Sequence, residues 1–88
     1  MIINLRTLLH LPVYTESGTK LGTVFDLELD AEGHVIMKYF VKANFLSVKY
    51  FLIEKSLVKE ITEDKIVVYD SVERGSLLEM PPNMALGE

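Results

Sequence analysis

The sequence predicts an all-β domain, a small curved barrel with short helical turns at its ends. Three observations carry this. Val, Ile, Tyr, Phe and Thr cluster in short runs with alternating apolar and polar positions. Turn chemistry separates the runs at Glu16-Ser17-Gly18-Thr19, Asp30-Ala31-Glu32-Gly33 and Glu63-Asp64. No long stretch shows a helical or heptad period, and no internal repeat is visible.

The chain opens with Leu5 to His10, which fits one helical turn ahead of Pro12. Pro12 to Thr15 is a short strand whose leading proline suits a strand start or a sheet edge. Lys20 to Asp30 is a long strand, with Leu27 and Leu29 turned inward and Glu28 and Asp30 to solvent. Val24 falls on the polar side of that alternation, so a bulge or bend at Gly22 is expected to swap the faces locally. His34 to Lys42 places Val35, Met37, Tyr39 and Val41 inward and His34, Ile36, Lys38, Phe40 and Lys42 outward. Gly18 and Gly33 supply the positive φ that tight hairpin loops require.

Ala43 to Ser47 lacks alternation and reads as a wider loop carrying Phe45 and Leu46. Val48 to Glu54 is a strand. Ser56 to Thr62 reads as strand or extended turn rather than helix, because Val58 and Ile61 lead straight into the Glu63-Asp64 turn and the strand Lys65 to Asp70. Beyond Val72 the alternation stops. Glu73 to Ser76 is loop-like, Leu77 to Met80 suits a helical turn or an extended edge, and Pro81-Pro82 blocks any longer helix. The expected division is a domain over residues 1–72 and a tail over 73–88, partly packed or flexible.

Composition narrows the function. The 88 residues, 49% hydrophobic and 25% charged, suit one core. Nine basic against thirteen acidic residues give a net charge of −4, which disfavours a general grip on nucleic acid. With no cysteine there is no disulfide, thiolate zinc site or thiol nucleophile. The start of the chain lacks the pattern of a secretion signal, and no apolar run approaches membrane-spanning length. A soluble cytoplasmic protein is therefore expected.

The stretch Leu11-Pro12-Val13-Tyr14, followed by Gly18-Thr19-Lys20-Leu21-Gly22-Thr23-Val24-Phe25-Asp26-Leu27-Glu28-Leu29-Asp30, resembles the opening of the PRC-barrel family. That family is named for the cytoplasmic domain of the photosynthetic reaction-centre H subunit and includes the C-terminal domain of the ribosome maturation factor RimM. Phe51-Leu52-Ile53, Ser56-Leu57-Val58 and Asp64-Lys65-Ile66-Val67-Val68 are similar to its second half, so the resemblance covers residues 5–72. It implies a strongly bent PRC-type β-barrel and an interaction module rather than a reaction. The 88 residues have no room for the second domain of RimM and no membrane helix like that of the H subunit, so a stand-alone member is expected.

Each candidate site has an ordinary competitor. Asp26, Glu28 and Asp30 alternate along one strand and could form a carboxylate row for a hard cation, but a solvated strand face explains them as well. Asp26 is better read as a structural acceptor at the Gly22 bend, in the same class as Gly18, Gly22 and Gly33. His10 and His34 have no third partner for zinc, the serines sit in turns, and no phosphate-binding glycine loop occurs. Neither a catalytic group nor a metal or cofactor site can be assembled, and a non-enzyme is expected.

Surplus apolar area is the stronger signal. Ile36, Phe40, Phe45, Leu46, Phe51, Leu77, Leu78 and Met80 exceed what one small barrel encloses. They are the candidate partner-binding residues, for a protein partner or a second copy in a homodimer, unless the tail folds back over them. The alternative is a RimM-like accessory role in ribosome or RNA processing, using Lys38, Lys42, Lys49 and Lys55 as a modest basic strip.

Overall fold

The structure is a computed structural model, and it describes residues 1–75 and 77–79. Its elements follow the turn signals closely. A one-turn helix α1 (Leu5–Leu8) precedes strands β1 (Pro12–Thr15), β2 (Lys20–Asp30), β3 (Val35–Lys42) and β4 (Lys49–Glu54). A 3-10 turn (Lys55–Leu57) leads into β5 (Val58–Ile61) and β6 (Ile66–Val68). A second helical turn, α2 (Val72–Gly75), occupies the segment expected as loop, and β7 (Leu77–Glu79) follows it in extended form. Met80 and the rest of the expected tail, 81–88, lie outside the described residues, as does Ser76.

α1 starts where Asn4 caps it: the Asn4 side chain accepts the Thr7 N–H at 2.9 Å. Its one buried residue, Leu8, joins the core.

The seven strands form one sheet in the order β5-β6-β1-β2-β3-β4-β7. Every neighbouring pair is antiparallel except β1 and β6, which run parallel with Val13 opposite Ile66 and Thr15 opposite Val68. Among the described residues the sheet is bent but not closed by a ladder, with β5 and β7 at its two ends. The 3-10 turn lies against β3, and Leu57 packs on the core.

Bulges set which residues reach the interior. Against β1, Val13 pairs with Gly22 and Tyr14 with Lys20, leaving Leu21 extra. Against β3, Val24 pairs with Val41 and Asp26 with Phe40, leaving Phe25 extra. Leu21, Val24 and Leu27 therefore all turn inward at three-residue spacing, which an unbroken pleat forbids. The face swap expected from Val24 is present. A further bulge leaves Met37 extra on β3, so Ile36, Tyr39 and Val41 meet the core. Three inward expectations need correction: Val35 and Met37 are exposed, and Leu29 is 59% exposed. An alternation carried through the bulge inverts the far half of the hairpin.

The core comprises Leu8, Leu11, Val13, Leu21, Val24, Tyr39, Val41, Ile53, Ile66, Val68 and Val72. Thr15 is the buried polar residue beside it, and its hydroxyl accepts the Thr19 N–H at 3.0 Å. The β1–β2 turn is tied to the end of β6. The Ser17 N–H and hydroxyl donate to Asp70 Oδ1 at 3.1 and 2.9 Å, and the Glu16 N–H donates to the Val68 carbonyl at 2.9 Å.

Gly18 and Gly22 do carry positive φ, of 100° and 147°. Gly33 does not; His34 takes the left-handed position of the β2–β3 turn, with φ 59°. Asp30 organises that turn, its side chain accepting the Glu32 N–H at 3.2 Å and its carbonyl the His34 N–H at 2.8 Å.

Candidate docking face

The face of β2–β3–β4 turned away from the core carries an aromatic cluster. Because Phe25 is the extra residue of a bulge, its ring points out rather than in. Phe40 lies outward on β3, since Tyr39 and Val41 on either side of it are buried. Tyr50 and Leu52 lie outward on β4, where Phe51 and Ile53 pack inward. Phe25 and Phe40 meet edge to face with ring centroids 6.1 Å apart, Phe25 and Tyr50 likewise at 6.2 Å, and Phe40 and Tyr50 lie tilted at 5.8 Å. The Lys42 ammonium sits 4.6 Å from the centre of the Phe25 ring.

The β3–β4 loop extends the patch. Phe45 is 84% exposed and Leu46 77% exposed. The loop is ordered by its own polar groups: the Asn44 side chain accepts the Leu46 N–H at 3.0 Å, and the Ser47 hydroxyl donates to the Lys49 carbonyl at 2.9 Å. At the start of the loop the Lys42 backbone lies close against Gly22, where a Cβ would collide with the Lys42 carbonyl. Between the end of α1 and this loop lies a shallow cleft of about 260 Å³, with Phe25 and Phe45 among its walls and His10 and Lys42 at its polar edge. A second hollow of about 320 Å³ lies farther along, among Leu52, Glu54, Leu57, Gly75 and Leu78.

Of the residues singled out in the sequence, Phe40 is in the cluster, Phe45 and Leu46 adjoin it, and Leu78 lies directly across from Tyr50. Leu77 is exposed on β7 opposite Phe51. Ile36 and Phe51 are half-buried and pack against the core, so the structure does not bring them to this face. Met80 lies outside the described residues. Sequence reasoning missed Phe25, Tyr50 and Leu52. Phe25 is hidden by its bulge. The other two share their alternation with Val48, and only the burial of Ile53 tells which side faces out.

The acidic row is dispersed. The Asp26 side chain accepts the adjacent Leu27 N–H at 2.8 Å, Glu28 pairs with Lys38 at 3.6 Å, and Asp30 serves its turn. Asp26 thus accepts a single neighbouring N–H. Among the described residues no three His, Asp or Glu side chains gather where a metal ion could be held. Burial pushes the Tyr39 phenol above its ordinary pKa.

A bent, open sheet of seven described strands with an aromatic outer face defines a small all-β domain. The chain belongs to the PRC-barrel domain family, whose sequence model matches residues 1–74. No curated protein matches the chain significantly. No helix among the described residues is long and apolar enough to cross a membrane.

Proposed function

We propose that this PRC-barrel domain is a non-catalytic, cytoplasmic interaction module that docks a protein surface, in the first instance a second copy of itself, through its aromatic outer face. One observation carries the reading. The Phe25–Phe40–Tyr50 cluster continues into the loop with Phe45 and Leu46, giving rigid rings and exposed apolar side chains on one side of the sheet. Aromatic anchors of few rotatable bonds lose little entropy on binding and dominate the energetics of most interfaces. The cleft beside Phe45 offers a seat for an apolar side chain of the partner. Membership of a family whose domains generally mediate protein interactions supports the same reading.

Sedimentation over a wide concentration range tests it. Association rising with concentration is expected. Phe45→Asp and Phe40→Asp should each weaken it by about tenfold or more. Leu29→Asp, at the exposed far end of the β2–β3 hairpin, should leave it unchanged. A wild-type chain that stays monomeric at the highest concentration and retains no protein in pull-downs would overturn the proposal.

A further inference from the structure

The last strand of the sheet comes from outside the segment that the family model matches. That match ends at residue 74, and β7 spans Leu77–Glu79. Among the described residues it meets β4 at three positions, antiparallel, with Lys49 opposite Glu79, Tyr50 opposite Leu78 and Phe51 opposite Leu77. All three stay exposed, with Leu77 at 48% and Leu78 at 43%. The chain is anchored just before them by Val72, which is fully buried. Between anchor and strand lies Gly75, around which no atom comes within 4 Å of a would-be Cβ.

We infer that β7 is exchanged between two copies of this chain, so that the β4 edge of each takes the Leu77-Leu78-Glu79 strand of the other. An edge strand this short is held by few hydrogen bonds, and detaching it leaves the β4 backbone open to pairing. The strand best suited to refill that edge is the identical one. It sets Glu79 opposite Lys49 and Leu78 opposite Tyr50 again, so the register of the ladder is unchanged. The stretch linking Val72 to Leu77 would act as the hinge, with the α2 turn unwinding. At about 3.3 Å per extended residue so short a link spans little more than ~13 Å, so the two cores must lie close together. The exchange uses the backbone edge of β4 and does not rest on docking through the aromatic face.

A cross-strand disulfide reads the partner of β7 directly. The chain has no cysteine, and Lys49 and Glu79 are both exposed. Directly opposed strand residues have Cα separations that a disulfide tolerates. The full-length Lys49→Cys/Glu79→Cys variant is equilibrated at low and high protein concentration, oxidised mildly and run on a non-reducing gel. The expected result is an intrachain link at low concentration and an interchain link whose share rises with concentration, most clearly after refolding from denaturant. Intrachain linkage at every concentration overturns the exchange, as does the absence of either link. Covalent dimer formed equally well by Glu79→Cys alone also overturns it, because β7 strands would then be lying edge to edge. Adding Phe40→Asp separates this from the aromatic-face proposal. An unchanged interchain yield supports exchange, whereas its loss assigns the dimer to the outer face and overturns the exchange.

Discussion

Gly22 combines a φ of 147° with a backbone contact that leaves no space for a side chain. A Cβ would collide with the Lys42 carbonyl, which belongs to the β2–β3 pairing and cannot swing away as a flexible side chain would. Gly22→Ala should therefore cost about 3 kcal/mol or more. Gly18, at φ 100° with open space around it, is strained but uncrowded, and Gly18→Ala should cost about 1 kcal/mol. Urea denaturation of the two variants side by side checks the ranking. Tyr39 makes a second prediction. Burial raises its pKa in the folded chain, so the unfolded chain ionises first as pH rises. Its contribution is fully present below about pH 10 and is lost as pH climbs from there through the raised folded value. Tyr39→Phe should flatten that alkaline loss in a pH series of thermal melts. A local swap of faces was legible because Val24 sat on the wrong side of an otherwise regular alternation, but the extra residues are Leu21 and Phe25 rather than Gly22. The left-handed role of His34 was not, because Gly33 beside it is the residue that conformational preference favours.

The strands themselves were readable from β-branched runs and turn residues, and β2 begins and ends where that reading put it. Their faces were readable only as far as the first bulge. Each extra residue reverses the inward set, so Leu29, Val35 and Met37 emerge while Ile36 turns to the core. Bulges leave no compositional mark comparable to a turn glycine. The tie between the β1–β2 turn and the end of β6 was equally invisible, since Ser17 and Asp70 are separated by 53 residues. Asp70→Ala removes the acceptor shared by the Ser17 N–H and hydroxyl and should cost about 1–2 kcal/mol. The loss should appear as a lower urea midpoint with an unchanged slope, because the exposed surface of the unfolded chain is the same. Asp70→Asn keeps an acceptor oxygen and should lose about half as much or less.

The candidate face was half legible. Phe40, Phe45, Leu46 and Leu78 stood out as surplus apolar residues, but their companions Phe25 and Tyr50 depend on sheet curvature that no local pattern encodes. Three of the four lysines of the expected basic strip have neighbours of their own. Lys38 is paired with Glu28, Lys42 is engaged by Phe25, and Lys49 faces Glu79 across the β4–β7 ladder. With a net charge of −4, self-association through apolar rings should persist when salt is raised, since screening also relieves like-charge repulsion between copies. Sedimentation repeated at high salt checks this, and weakening with salt would speak instead for a charged partner. The parallel pairing of β1 with β6 has a consequence in time. β1 leaves the ribosome well before β6 and has to wait for it before its second neighbour exists, although β1 to β4 can already zip together in sequence order. Such distant pairing makes closing that ladder the slow event of folding, on the order of milliseconds to seconds. Until then a nascent chain carries an unsatisfied β1 edge, the site where a chaperone would have most to protect.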